Sequence, residues 1–448
     1  MQFSTVTVIT ALLQTAAKAS GQDSNVPTTV AAADEAGADV TTIDFMFPIV
    51  PGVSSHLEQT LNDIVAAFNE LHPDIEVNPI YAGSYGETYD KVVALFDAGD
   101  PPAVAVLNVN AMVPLVNMGA IISLNDYIMA EGGWSFLDDY WAGMFLGEDY
   151  DPTDGISLEG WPMMRSTPVL YYNEDMLKEF GVNPPNDWDE LIATAKNMTT
   201  DTKKGLGLPD TWTDWIYEAF SRQAGTQVIK DEQWMNQAIT NFNNGEFPFL
   251  YFSTGGISKI KAGANFNWNA SFCPAGPDGY GVPQGGGDFH IFNKVSKAQQ
   301  DAAWELIKFV TSPENAAKWS VASGYIAVNK KAYDTELMQL ALNETPQYAV
   351  ARDQMAYSHP QMMSENINQV RQVLLDNLNA LVAGTKTIAQ VQSDGQAGMV
   401  AAMSGAPVPA PSVPTPMAPS PSSAMSTSVH VGLTFVLAIG GSILVYFA

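Results

Sequence analysis

From Thr42 onward, short apolar runs alternate with stretches whose apolar residues recur at helical spacing. This is the pattern of an α/β protein, and it predicts mainly parallel strands. Thr42 to Val50 predicts a first strand. Leu57, Leu61, Ile64, Val65 and Phe68 fall on one helical face, and Ile75 to Tyr81 predicts a second strand. A helix over Tyr89 to Leu95 follows, then a buried strand from Ala103 to Val109 after the Pro101-Pro102 break, then a helix from Ala111 to Met118. The acidic stretch Gly147 to Gly155 reads as a connection. A second block opens with a strand at Val169 to Tyr172. Its helix begins at Asp187-Trp188-Asp189-Glu190 and reaches Asn197; those carboxylates suit the positive end of a helix and form no catalytic pair. Asp231 to Asn243 predicts a helix, Phe247 to Phe252 a strand, Ile291 to Phe292 part of another, and Ser296 to Val310 a strong helix. Gly384 to Gln392 closes the folded part, and no internal repeat is visible.

The two ends follow other patterns. Val6 to Ala17 is a mostly apolar run, and Ala17-Lys18-Ala19 supplies small residues at a signal-peptidase site, so residues 1–19 read as a signal peptide. Asn197, Asn269 and Asn343 head glycosylation sequons, which agrees with secretion. Seven prolines between Pro407 and Pro421 give residues 404–430 the composition of an extended Pro/Ser/Ala-rich stalk. Residues 431–448 carry no acid or lysine or arginine, and they follow the small residues Ser422, Ser423 and Ala424. That order matches a GPI-attachment signal, with a plain hydrophobic anchor helix as the alternative. A cell-surface protein held at its C-terminus is expected.

Length and charge narrow the function. A chain of 448 residues is long enough for two or three domains. Twenty Lys and Arg against 48 Asp and Glu, a net charge of −28, argue against nucleic acid or an anionic membrane surface as partner. Cys273 is the single cysteine, which excludes an internal disulfide framework or a cysteine-based metal cluster. The five histidines are scattered without metal-ligand spacing, so no metal or cofactor is expected. No nucleophile elbow or phosphate loop occurs, and Gly285-Gly286-Gly287 leads into Asp288 rather than a lysine. Cys273 has no histidine near it in sequence and reads as an idle thiol. No catalytic constellation appears, and no enzymatic activity is expected; a surface hydrolase of glycans or phosphate esters is the alternative from another class.

What stands out is a binding inventory at strand ends: Tyr81, Tyr85, Trp212, Trp215 and Tyr325, with Ser253, Thr254 and the glycine triplet. Aromatic faces stack on sugar or polyol C–H surfaces, while small polar groups and backbone N–H groups hold hydroxyls or a phosphate. Trp212 and Trp215 are three residues apart and share a helix face, which fits a stacking platform and a core position equally.

Ser166-Thr167-Pro168-Val169-Leu170-Tyr171-Tyr172-Asn173, then Phe180-Gly181-Val182-Asn183-Pro184-Pro185 and Trp188, resemble the extracellular solute-binding protein family 1 of ABC importers, and within it the glycerol-3-phosphate-binding members. Tyr81-Ala82-Gly83-Ser84-Tyr85, Trp212-Thr213-Asp214-Trp215-Ile216, Phe252-Ser253-Thr254-Gly255-Gly256, Ser312-Pro313-Glu314-Asn315-Ala316-Ala317-Lys318-Trp319 and Ser323-Gly324-Tyr325 extend the likeness over about residues 42 to 400. The resemblance implies a two-lobed α/β periplasmic-binding-protein-like fold, with hinge crossings and a central ligand cleft. It implies an N-terminal lobe of residues 42–157 with 286–328 and a C-terminal lobe of 158–285 with 329–400. By the same resemblance Tyr85, Ser166, Trp212, Trp215, Ser253, Thr254, Gly287, Tyr325 and Arg371 line the cleft around a small phosphorylated polyol or sugar. A guanidinium fork at Arg371 suits a phosphate.

Members of the family serve a membrane transporter, but with the C-terminal anchor read above the resemblance does not by itself imply one as partner of this chain. Two departures stand beside it. Val109 occupies a position where the glycerol-3-phosphate binders place an acid, and Arg165 adds a charge beside Ser166. Either would retune the cleft toward another phosphorylated polyol, or toward a neutral sugar or oligosaccharide. The C-terminal stalk, without a lipobox cysteine near the start, departs from the family's periplasmic or N-terminally lipidated pattern.

Overall fold

Two main sheets, interleaved along the chain, organise the protein in this computed structural model. It describes residues 40–49, 56–145, 157–200, 203–209, 213–223, 236–361, 364, 366–382, 385–409, 435–439 and 442–446. The expected signal peptide, the 147–155 connection and most of the stalk lie outside them, as does Trp212.

The first sheet takes β1 (Thr41–Phe47), β2 (Ile75–Tyr81) and β3 (Val104–Asn108) from the N-terminal part of the chain. It adds β4 (Trp161–Ser166) and, after the strands of the second sheet, β9 (Gly285–Ile291), in the order β2-β1-β3-β9-β4. Both faces are covered. Ile43, Phe45, Phe47, Val104 and Val106 belong to one apolar cluster, while Met46, Ala105 and Leu107 belong to another. Helices 57–71, 85–98 and 297–310 supply that cover, and each starts where the sequence can cap it or pack it. Ser84 and Ser296 form capping boxes with Glu87 and Gln299, satisfying first-turn N–H groups that would otherwise lack partners.

The expectation of mainly parallel strands is corrected here. β1 pairs parallel with β2 and β3, but β9 runs antiparallel to both β3 and β4. The cause is topological: β9 enters from the second sheet, so it arrives from the opposite end. β4 was not anticipated as a strand at all, because Trp161-Pro162-Met163-Met164-Arg165-Ser166 has no alternation and all six residues are buried. Its pairing with β9 keeps the chain in the first sheet past residue 158, where the second lobe was expected to begin.

The second sheet is antiparallel throughout, β6-β5-β7, built from β5 (Pro168–Asn173), β6 (Phe249–Ser253) and β7 (Trp268–Ser271). A short parallel pair joins β8 (Val282–Pro283) to β10 (Ser358–His359). The helix of the second block starts at Trp188 with Asp187 as its cap, accepting from the Glu190 N–H at 2.8 Å. Helices 367–382 and 388–403 pack on each other, so regular structure continues past Gln392, where the folded part was expected to close. In the apolar tail, β11 (Phe435–Ile439) and β12 (Ser442–Tyr446) pair antiparallel. Among the described residues no helix is long and apolar enough to cross a membrane.

Candidate functional site

The two sheets are joined where β4 runs into β5 with only Thr167 between them, and the short β8–β10 pair leads into the first sheet at β9. Ser166 ends β4 in register with Gly285, and Met164 sits opposite Gly287. A side chain at Gly285 would come within 2.7 Å of the Trp215 ring and 3.1 Å of Ser166 Oγ. One at Gly287 would come within 2.7 Å of both the Tyr85 ring and the Leu107 carbonyl. The triplet is glycine because two aromatic rings and a neighbouring strand press directly against it. Gly286 adds a conformational demand: its φ is +113°, and a Cβ there would sit 1.5 Å from the Met164 carbonyl oxygen.

Seven of the nine predicted residues lie around this seam, while Trp212 is outside the described residues. Tyr85 opens helix 85–98 and is buried, and its hydroxyl lies 3.4 Å from Met164 Sδ. Trp215, buried on helix 213–223, donates from Nε1 to the Gln284 carbonyl at 3.3 Å. Ser253 closes β6 and its Oγ accepts from the Gly255 N–H at 3.2 Å. The Thr254 N–H donates to the Thr167 carbonyl at 3.1 Å, which sets Thr254 beside the Ser166–Pro168 crossing. Thr254 Oγ1 is buried and has no hydrogen-bond partner among the described residues.

Gly324, at φ +80°, passes so close to Thr254 that a Cβ would lie 2.6 Å from its carbonyl oxygen, and this brings Tyr325 alongside. The next N–H, of Ile326, donates to the Arg165 carbonyl at 2.7 Å. Tyr85, Ser166, Trp215, Ser253, Thr254, Gly287 and Tyr325 therefore gather at one seam. Arg371 is 4% exposed on helix 367–382, which packs against the helix bearing Trp215.

Three further residues hold the seam together that the sequence did not single out for it. Gln284 donates its backbone N–H to the His359 carbonyl at 2.9 Å, and its side-chain amide to Ser358 Oγ at 3.1 Å and to the Gly143 carbonyl. Gln354 donates to the Pro168 carbonyl at 2.6 Å and to Thr167 Oγ1 at 3.0 Å. Asp288 forms a buried ion pair with Arg165, Nη2 to Oδ1 2.7 Å. The added charge of Arg165 is thus directed at a carboxylate of the protein. An acid inside a fully buried strand, one residue past the glycine triplet, was the available signal.

The reactive chemistry is quiet. Cys273 is fully buried with Sγ 3.3 Å from the Pro168 carbonyl, and burial pushes its thiol well up, so it stays protonated near neutrality. Burial likewise holds the Tyr171 phenol far above its ordinary value, leaving a neutral O–H that donates to the Ser253 carbonyl at 3.1 Å. Among the described residues no three His, Cys, Asp or Glu side chains group as a metal site. A small cavity lined by Met163, Trp319, Ile326 and mostly apolar neighbours contains none of the predicted site residues in its lining.

Comparison with known proteins places this architecture. Residues 63–349, well over half of the chain, match the family described as bacterial extracellular solute-binding protein. The chain belongs to that family. The solute-binding protein is 26% identical over 390 residues to the sn-glycerol-3-phosphate-binding periplasmic protein UgpB of Pectobacterium atrosepticum, covering 76% of this chain and 87% of that one. It is equally 26% identical to UgpB of Salmonella typhimurium, over 78% of this chain and 89% of the relative. Among solved structures, UgpB from Mycobacterium tuberculosis in complex with glycerophosphocholine superposes with a TM-score of 0.70 at 22% identity, covering 81% and 98% of the two chains. Maltose-bound MalE3 of T. maritima gives 0.66 at 20% identity, covering 80% and 99%. These likenesses establish the two-lobed binding-protein fold with chain crossings between lobes.

Proposed function

We propose that this solute-binding protein captures a small phosphorylated polyol or sugar, of the glycerol-3-phosphate type, by closing two lobes over the seam between its sheets. Arg371 carries the reading. Its guanidinium is buried beside the helix of Trp215, in a chain with four arginines, and relatives 26% identical are named for sn-glycerol-3-phosphate. A guanidinium fork binds phosphate oxygens in pairs, and hydroxyls such as Thr254 and Ser166 complete such a shell. Trp215, Tyr85 and Tyr325 then offer ring faces to the carbon skeleton. Trp212 joins them in this reading on sequence grounds.

Calorimetric titration of the full chain tests it, with glycerol 3-phosphate, glycerophosphocholine, inorganic phosphate, glycerol and maltose as probes. Binding of the phosphorylated probes alone is the expected result; binding of maltose alone assigns the site to a neutral sugar. That second reading is favoured by Val109, which stands where an acid would hold glycerol hydroxyls. Turnover of any probe during the titration would replace binding by a hydrolase.

The reading places the protein outside the cell, serving uptake through a membrane transporter, with residues 431–448 as its tether behind the 404–430 stalk. Phase partition in detergent before and after removal of that tail tests the tether. As glycosylation acceptors, Asn197 and Asn343 are exposed, whereas the Asn269 amide donates to Glu174 at 3.1 Å.

A further inference from the structure

Arg165 Nη2 and Asp288 Oδ1 are 2.7 Å apart, with the side chains 3% and 0% exposed. Taking both charges out of water is costly, and their attraction offsets this only when geometry and further hydrogen bonds are good. The pair therefore calls for a role beyond stability. Its location supplies one. Arg165 immediately precedes Ser166 and Asp288 immediately follows Gly287, so each charge is one residue from a proposed solute contact, on two neighbouring strands.

Trp161 opposite Phe289 anchors one end of this strand pair, but the Ser166–Gly285 end has few side chains to hold its register. β9 begins with three glycines, which have no side chains to lock a register, and β4 shifts register between Pro162 and Met164. A slip of one residue would turn every β4 side chain to the opposite face, Ser166 included. The ion pair resists that slip. The same guanidinium donates to the Met144 carbonyl at 2.7 Å, and the Arg165 carbonyl accepts the Ile326 N–H next to Tyr325. Four chain segments, at 142–145, 161–166, 285–291 and 326, are joined through one residue.

We infer that the Arg165–Asp288 pair is a positioning element that holds β4 on the glycine-rich start of β9, in the register that presents Ser166 and Gly287 to the solute. The inference rests on the reading of those two residues as solute contacts. Neither charge touches the solute in this scheme.

The test uses the full chain and R165M/D288L, which removes both charges and leaves none unpaired. Hydrogen exchange is read first because it needs no ligand. Peptides covering 161–168, 284–291 and 324–328 should exchange about tenfold faster than in the wild type, with peptides of β5 and β6 unchanged. Unchanged exchange at the crossings overturns the inference whether or not any solute binds, and so does a uniform rise across the protein. Affinity is read second: glycerol 3-phosphate should bind about tenfold or more weakly to the variant, an effect that a purely stabilising pair would not produce. Faster exchange with wild-type affinity overturns the positioning role and leaves the proposed function standing. A wild type that binds none of the phosphorylated probes or maltose overturns the proposed function instead, and exchange alone then decides the register. Should R165M/D288L fail to fold, D288N replaces it, with about threefold faster exchange at the same peptides expected and unchanged exchange overturning the inference.

Discussion

The two sheets contribute to the seam in opposite ways. The first sheet contributes space: at β9 it presents Gly285, Gly286 and Gly287, whose missing side chains admit the Trp215 and Tyr85 rings. The second contributes groups, with Ser253 and Thr254 at the end of β6, and Trp215 on a helix of the same block. The difference follows from construction. A sheet covered on both faces fills its strands with Phe, Val and Ile, and can approach a neighbour's backbone only where a side chain is absent. An antiparallel sheet that ends in a turn exposes hydroxyls and N–H groups at that turn. Neither half contains the candidate site by itself.

The largest predicted effect breaks the first half. Gly286→Ala places a Cβ 1.5 Å from the Met164 carbonyl in a backbone with φ +113°, so β4 must leave β9. A loss of about 4 kcal/mol or more is expected, read as a large fall in the denaturant midpoint or as failure to fold. Phe45→Ala empties a fully buried position of the same sheet and should cost about 3–5 kcal/mol in chemical denaturation while leaving probe affinity at wild-type levels.

The second half is sharpened through its solute groups. Arg371→Ala should weaken glycerol 3-phosphate binding by about 1.5–3 kcal/mol, the range for a hydrogen bond to a charged group. Undiminished affinity there would remove the phosphate assignment. For Trp215→Ala, which also loses the bond to the Gln284 carbonyl, about 1–2 kcal/mol of affinity should go for phosphorylated and neutral probes alike. The smallest effect on stability is expected from Thr254→Val. Its Oγ1 is buried without a partner among the described residues, so the variant should match or exceed the wild type by up to about 1 kcal/mol in thermal unfolding. Lower affinity with that unchanged stability would show the hydroxyl facing solute.

Much of the first sheet was legible because its helices obey simple rules. Ile75–Tyr81 is a strand with the expected bounds, and Ser296 caps the expected helix with a full capping box. β4 was not legible: Trp161-Pro162-Met163-Met164-Arg165-Ser166 is buried on both faces and shows no period of two. The direction of β9 was hidden as well, since strand orientation depends on which end of a sheet the chain re-enters. For the candidate site, residue types were readable and partners were not. The Ser-Thr-Gly-Gly turn and the aromatic residues announced binding chemistry, yet nothing along the chain tied Asp288 to Arg165, separated by more than a hundred residues.

The sequence by itself determined the family, the alternation of strands and helices, and the kinds of side chain available to a solute, because these follow from local period and residue chemistry. Only the tertiary structure decided that the glycine triplet serves ring packing and that Arg165 faces a carboxylate of its own protein. Only it set the crossing at Thr167. The physical reason is common to all three. Each is a contact between segments far apart in the chain, and such contacts are chosen by whole-sheet register and by the cost of burying charge, neither of which any short stretch of sequence encodes.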